Sequence, residues 1–209
     1  MPKDNVSLSV IRRLPRYYRH LQELLNENVV RISSRQLADR MGITASQIRQ
    51  DLNCFGGFGQ QGYGYNTETL FREIGDILGL RQNLRAILIG TGNIGRALCN
   101  NFDFSSAGVA LIGIFDRDKE IVGSQVGKLK VLHIDELETF AAREKPEIAI
   151  LSLSKSTAYT MATRLSALPS IRGLWNFTNV DIHDSSGLLP VEYVNYTDSL
   201  MTLCYRVKP

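Results

Sequence analysis

Two short stretches of this 209-residue chain place reactive groups at informative spacings. In "ILIGTGNIG" (87–95), Gly90, Gly92 and Gly95 stand as in a dinucleotide-binding turn. Gly90 permits a tight turn, Gly92 lets backbone N–H groups approach a pyrophosphate, and Gly95 lets helix and strand pack closely. Asp116, 21 residues beyond Gly95, closes the apolar run "VALIGIFD", where a carboxylate accepts bonds from the adenosine ribose hydroxyls. Its charge repels a 2′-phosphate and favours NAD(H) over NADP(H), while the adjacent Arg117 leaves the phosphorylated cofactor open. In "GITASQIRQDL" (42–52) the chemistry is base reading: an arginine bonds two acceptors of guanine and a glutamine the edge of adenine.

Proton transfer has no comparable set. A dehydrogenase needs a His, Lys or Tyr opposite the hydride and enough chain to hold a substrate. His20 lies in the first segment, His133 follows a strand, His183 sits in "DIHDSSG", and Lys155 stands at a strand end. They form no constellation, so the chain reads as a sensor and not as an enzyme. The competing readings are an NAD-dependent oxidoreductase with an N-terminal extension and a sensor of another nucleotide such as coenzyme A. Cys54, Cys99 and Cys204 are far apart and in no metal-ligand spacing, so they read as reduced thiols, and no metal is expected.

Local signals define the elements that must position these groups. Tyr17, Leu21, Leu24 and Leu25 recur at helical spacing within 9–25, with Arg12, Arg13, Arg16 and Arg19 nearby, and Pro15 implies a kink or a fresh start. "ISSRQL" offers Ser33 as N-cap with Gln36 three residues on, and "ITASQI" repeats the device with Thr44 and Gln47. Gly42, in the short turn between, suits a left-handed helix end. Helix, short turn, helix is the helix-turn-helix pattern. With Ile48, Leu52 and Phe55 facing the core, Ser46, Gln47, Arg49, Gln50 and Asn53 face outward, as either a base-reading or an ordinary solvated surface.

"FGGFGQQGYGYN" (55–66) alternates five glycines with aromatics and reads as a small hairpin wing. Its Gln60 and Gln61 suit a minor groove, with Tyr63 beside them. Arg12 and Arg16 join these residues as candidate DNA contacts. From Thr67 to Leu80 an apolar stripe of Leu70, Phe71, Ile74, Ile77 and Leu78 predicts a helix ended by Gly79.

Beyond it, "LRAILIG" reads as a strand buried on both faces, followed by the glycine turn and a helix through Asn101. "KVLHI", "EIAILSL" and "IRGLWNF" read as further strands, separated by helices near Asp135–Glu144 and Thr157–Ala167. The alternation predicts an α/β fold: a doubly wound, mainly parallel sheet with helices on both faces. Ser152, Ser154, Asn176 and Phe177 then fall at carboxyl ends of strands, the edge where ligands bind.

Composition sets outer bounds. With 44% hydrophobic and 22% charged residues, and no apolar run near the roughly 20 residues of a membrane span, the chain reads as an ordinary soluble protein. "MPKDNVSLSV" lacks the features of a secretory signal, so a cytoplasmic location is expected. Residues 1–56 hold nine Lys/Arg against five Asp/Glu, and residues 57–209 fifteen against sixteen. The positive excess of the whole chain, +3, therefore sits in the first quarter, where nucleic acid would bind.

"RLPRYYRHL", "ISSRQLADRMGITASQIRQDLNCFGGFGQQGYGY", "GTGNIG" and "WNF", in this order, resemble the Rex family of bacterial redox-sensing repressors over nearly the whole chain. The resemblance implies a homodimer that binds palindromic operator DNA at low NADH/NAD⁺ and releases it when NADH binds. It implies a winged-helix domain (1–82), a Rossmann-like NAD(H)-binding domain (83–196) and a C-terminal helix (197–209) exchanged between subunits, here "DSLMTLCYRV" from near Asp198. Residue by residue, Gly90, Thr91, Gly92, Asn93, Ile94 and Gly95 would take the pyrophosphate and Asp116 the ribose. Asn176, Phe177 and Asp198 would surround the nicotinamide, and Arg19 would pair with Asp198 in the NADH-closed form. Two departures from the pattern stand out: Asn101, followed by Phe102, stands where many members have tyrosine, and Gln50 where many have lysine.

Overall fold

Pro15 splits the first apolar stretch into two helices, α1 (Leu8–Ile11) and α2 (Leu14–Asn26), because in the first turn of α2 its missing N–H costs nothing. This computed structural model describes residues 6–59, 63–182 and 189–208, and the chain divides between Arg81 and Gln82 into two units. In the first unit a short strand, β1 (Arg31–Ile32), leads into α3 (Ser34–Met41). Ser33 caps α3 with a complete reciprocal box: its hydroxyl accepts the Gln36 amide at 3.1 Å, and the Gln36 side chain accepts the Ser33 amide at 2.9 Å. Gly42, at φ 65°, ends α3 as expected.

α4 (Ala45–Asn53) starts at Thr44, whose hydroxyl accepts the Gln47 amide at 3.1 Å. Strand β2 (Tyr65–Asn66) pairs antiparallel with β1, Arg31 opposite Asn66 and Ile32 opposite Tyr65. A Cβ on Gly64 would lie 2.6 Å from the Ile32 carbonyl oxygen, so only glycine lets the wing segment close on β1. α5 (Thr67–Ile77) follows and packs on α2, with Tyr18 stacked on Phe71 at 4.3 Å. Leu14, Tyr17, Leu21, Leu37, Ile48, Leu52, Leu70 and Ile74 bury one continuous core, each side chain worth about 1.5–3 kcal/mol of transfer free energy.

The second unit opens with β3 (Leu84–Ile89), α6 (Asn93–Asn101) and β4 (Val109–Asp116). It continues through β5 (Gln125–Val126), β6 (Leu129–His133), α7 (Leu137–Glu144), β7 (Ile148–Leu151) and α8 (Lys155–Ser166). β8 (Gly173–Asn176), β9 (Val191–Tyr193) and α9 (Tyr196–Arg206) complete it. The sheet order is β5-β6-β4-β3-β7-β8-β9, parallel throughout except for β5. Alternation along β3 feeds both faces: Ala86 and Leu88 pack with Ile114, Ile150 and α6, while Ile87 and Ile89 pack with Phe115, α7 and α8. The chain runs from β3 outward through β4 and β6, then returns to β7 on the other side. The carboxyl ends of β3 and β7 therefore flank the switch point at which such sheets bind ligands.

α9 starts two residues before Asp198, because the Asn195 side chain accepts the amides of Thr197 and Asp198 at 3.0 and 3.3 Å. Asp198 thus sits in the first turn, where a helix favours negative charge. Tyr196, Leu200, Met201, Leu203, Tyr205 and Val207 are each more than half exposed within the single chain.

Candidate functional site

At the end of β3 the three glycines divide their labour. Gly90 has φ 96°, and a Cβ there would lie 2.6 Å from the Ser152 carbonyl oxygen; at Gly95 it would lie 2.1 Å from the Gly90 carbonyl oxygen. Both are demanded by the chain's own packing. Around Gly92 no atom lies within 4 Å of such a Cβ, so this glycine guards open space in front of the turn. Gly92 is also the N-cap of α6, so the first amides of that helix, from Asn93 and Ile94, lack helical acceptors and its positive end faces the same opening. Ser152 donates its hydroxyl to the Gly90 carbonyl at 2.5 Å. It is a strut between β7 and the turn, and not the free ligand-edge hydroxyl that the sequence suggested.

Asp116 ends β4 beside the turn. Its Oδ2 accepts the amide and the hydroxyl of Thr91 at 2.6 and 2.7 Å, and its Oδ1 accepts the Asp118 amide at 3.1 Å. Burial pushes this carboxyl up, but the bonds from Thr91, Asp118 and Arg117 outweigh it and hold the group below the ordinary carboxylate range. Asp116 lines a cavity of about 310 Å³ with Gly92, exposed Arg117 and an apolar wall of Ile134, Leu153 and Met161. Arg164 fixes its rim through two 2.6 Å bonds to Glu138. An ionised acceptor, free amides and an apolar slot together suit a nucleoside carrying a phosphate.

Farther along the strand ends, Asn176 turns inward. Its amide donates to the Val180 carbonyl at 2.8 Å, and its oxygen accepts the amide and hydroxyl of Thr178 at 2.9 and 2.7 Å. Phe177 is buried edge-on to Trp175, with ring centroids 4.6 Å apart. Both lie at the expected edge, yet their side chains shape the turn and the core and do not face an opening. The proton-transfer candidates have ordinary structural roles: His133 accepts the Asp135 amide at 3.3 Å, and His20 pairs with Glu23 at 3.2 Å. Lys155 opens α8 on the exposed surface, and His183 lies outside the described residues.

In the first unit the centre is a carboxylate the base-reading pattern did not single out. Asp51 is 1% exposed and accepts Arg13 in two bonds at 2.6 and 2.7 Å, the Tyr17 hydroxyl at 2.6 Å and the Gln47 amide at 2.8 Å. Burial pushes it up, but these bonds leave its carboxyl below the usual range; burial and the Asp51 charge push the Tyr17 hydroxyl up. A signal was present, since Asp51 falls on the inward stripe of α4 between Ile48 and Leu52, where an acid needs partners. Gln47, expected to face bases, is therefore tied to Asp51, which is why the Thr44 cap lacks its reciprocal half. Arg16, expected on DNA, donates to the Met41 carbonyl and caps the end of α3.

Ser46, Arg49 and Gln50 do face outward, as do Arg12, Arg19 and Tyr63. Arg49 donates to the Ser34 hydroxyl at 3.0 Å, across the start of α3. With Asn53, Gly57 and Tyr65 it lines a groove of about 650 Å³ between the two helices and the wing segment. Gln60 and Gln61 lie outside the described residues.

Comparison with known proteins agrees with this geometry in both units. A family model described as "Putative DNA-binding protein N-terminus" matches residues 5–53, and one described as "CoA binding domain" matches residues 81–180. The redox-sensing transcriptional repressor Rex of Caldicellulosiruptor saccharolyticus is 46% identical over 98% of this chain and 93% of its own length. That of Clostridioides difficile is 47% identical over 98% of this chain and 96% of its own. The chain belongs to the Rex family. Among solved Rex-family structures, RSP in complex with NAD⁺ and operator DNA matches with a TM-score of 0.91 and 47% identity, covering 98% of this chain and 94% of that one. RSP in complex with NADH matches with a TM-score of 0.88 and 44% identity, covering 98% and 95%. In this Rex chain the first unit is thus the DNA-binding domain and the second the Rossmann-like domain. Among the described residues no helix is long and apolar enough to cross a membrane.

Proposed function

We propose that this Rex protein is a transcriptional repressor that reads the NADH/NAD⁺ ratio, holding palindromic operator DNA when NADH is scarce and releasing it when NADH binds. The observation that carries the reading is the pairing, in one chain, of a capped recognition helix bearing Arg49 and Gln50 with a switch-point crevice built from Gly90, Gly92, Gly95 and Asp116. NAD⁺ or NADH would take its pyrophosphate at Gly92, Asn93 and Ile94 and its adenosine ribose at Asp116, with Thr91 and Ser152 holding the turn and Arg117 at the rim. Asn176 and Phe177 shape the nicotinamide end from behind. The domains are 1–82, 83–196 and an exchanged helix, 197–209. The protein acts as a sensor and not as an enzyme, in the cytoplasm where the operator is.

The working unit is a homodimer. A helix with many large apolar side chains in water is stabilised by being covered, since each one left exposed forgoes about 1.5–3 kcal/mol. Five such residues on α9, with Val207 just after it, call for a second copy as cover. The dimer sets the spacing of the two recognition helices, and half-sites lie about 34–36 Å apart. NADH releases DNA only by its differential affinity for the two dimer shapes; driving 1:99 to 99:1 takes roughly 5.5 kcal/mol. The reduced nicotinamide lacks the positive charge of the oxidised ring, and the acidic Asp198, with Arg19 as its partner in the closed shape, reads that difference.

A gel-shift titration of a palindromic fragment tests the reading. NADH should release the DNA and NAD⁺ should not, and Asp198→Ala should blunt the distinction. Retention at saturating NADH contradicts it, and release by coenzyme A would replace the ligand.

A further inference from the structure

The bonding around Asp116 says more than that a carboxylate is present. About four acceptor positions exist on an ionised carboxylate; both on Oδ2 are filled by Thr91, and the backbone of Asp118, on Oδ1, and of Arg117 supply the other bonds. Thr91 is 2% exposed, so its hydroxyl is shielded from water, and it gives both of its donors to a single oxygen of another strand's terminal residue. Its carbonyl is engaged as well, accepting the Arg96 guanidinium at 2.9 Å. The residue between the first two glycines is therefore a latch joining the phosphate turn to the ribose acceptor. Nothing in the glycine spacing requires a hydroxyl there.

Resting on the reading that this crevice takes NAD(H), we propose that Thr91 is a specificity-determining positioning residue: its hydroxyl pins Asp116 so that a nicotinamide dinucleotide is admitted and its 2′-phosphorylated form is refused. A carboxylate with Oδ2 tied at two points cannot rotate away from an incoming phosphate. The cavity that Asp116 lines is the side from which a ribose hydroxyl would reach it. With the hydroxyl gone, the Thr91 amide alone holds Oδ2, the side chain swings, and the repulsion that refuses a 2′-phosphate weakens. The latch also fixes which amides serve the pyrophosphate. The Thr91 N–H is taken by Asp116, leaving those of Gly92, Asn93 and Ile94.

The test measures binding of NADH and NADPH to the full-length protein by fluorescence and titration calorimetry, for the wild type, Thr91→Val, Thr91→Ser, Asp116→Ala and the double variant Thr91→Val/Asp116→Ala. Thr91→Val keeps the shape and removes the hydroxyl, and should cut the NADH preference about tenfold, the size expected for one hydrogen bond to a charged group. Thr91→Ser restores the donor and should restore the preference, and it also serves if the valine variant folds poorly. In the Asp116→Ala background, Thr91→Val should change the preference no further, since it acts through that carboxylate. A Thr91→Val variant that weakens NADH and NADPH equally, or that still shifts the ratio without Asp116, overturns the proposal and leaves the crevice reading intact. A wild type that binds neither dinucleotide overturns the crevice reading and the latch with it.

Discussion

Asp51 in the DNA-binding domain and Asp116 in the Rossmann-like domain face the same physical problem and reach different ends. Each is an acid on an otherwise apolar framework, and for each, hydrogen bonds overcome the cost of burial and keep the carboxyl below its ordinary range. Asp51 is closed: four bonds from Arg13, Tyr17 and Gln47 fill it, and through Arg13 and Tyr17 it locks the recognition helix α4 onto the start of α2. Asp116 is open: it is half-buried and lines a cavity. A buried acid closed off by its partners is architecture, and an acid held ionised at the wall of a cavity is a binding group. Access from the cavity, more than the count of partners, separates the two.

The largest effects should come from exchanging these two acids for alanine. Asp51→Ala leaves Arg13, Tyr17 and Gln47 without their acceptor and should cost about 3–5 kcal/mol, seen as a lower denaturant midpoint of the DNA-binding domain. Operator affinity should fall with it, and NADH affinity should stay within error. Asp116→Ala should do the reverse: a stability change near 1 kcal/mol and a loss of NADH affinity of about tenfold to a hundredfold. If both variants lost stability alike, the distinction between closed and open acids would fail.

A second contrast lies within the turn. Gly95→Ala forces a Cβ to 2.1 Å from the Gly90 carbonyl and should destabilise the Rossmann-like domain by about 1–3 kcal/mol, despite the better helix propensity of alanine. Gly92→Ala meets no protein atom, so the melting temperature should hold while NADH affinity drops, because the new methyl occupies the approach to the amides.

Smaller effects sharpen the picture in the head. Arg49→Ala should cost about 1–3 kcal/mol of operator binding and relax preference at one position per half-site, measured by competition with base-substituted operators. Arg16→Ala, removing a cap and not a base contact, should cost about 1 kcal/mol of stability and leave base preference unchanged. Acid gives a milder test still. Because the folded value of Asp51 is depressed, its stabilising contribution is fully present above its unfolded value near pH 4 and is lost as pH falls through the lower folded value. Asp51→Asn should flatten that part of the pH dependence of unfolding.

What could be read from the chain beforehand was local. Ser33, Thr44 and Gly42 announce helix ends through bonds made within a few residues, and Gly90, Gly92 and Gly95 announce a turn whose geometry only glycine fits. Asp116 was legible because its distance from the turn is set by one helix and one strand. The partners of Arg16, Ser152 and Asn176 were not legible, since each lies across a tertiary contact or around a turn that spacing does not encode, whereas Asp51, four residues beyond Gln47 on the same helix, was within reach of helical spacing. β5 and β9 are too short, at two and three residues, to leave a periodic trace. α9 starts at Tyr196, just ahead of the expected 197–198, because Asn195, an ordinary-looking polar residue, is the cap.

The central claim is that grip on DNA and NADH in the nucleotide crevice oppose one another, whereas NAD⁺ there leaves the grip intact. Linkage makes it testable from the ligand's side: whatever factor NADH takes from operator affinity, the operator must take from NADH affinity. NADH affinity should therefore be measured by calorimetry with and without saturating operator DNA. The account predicts weakening of at least about tenfold when the operator is present, the scale of ordinary allosteric coupling. Equal NADH affinity in both titrations would contradict it.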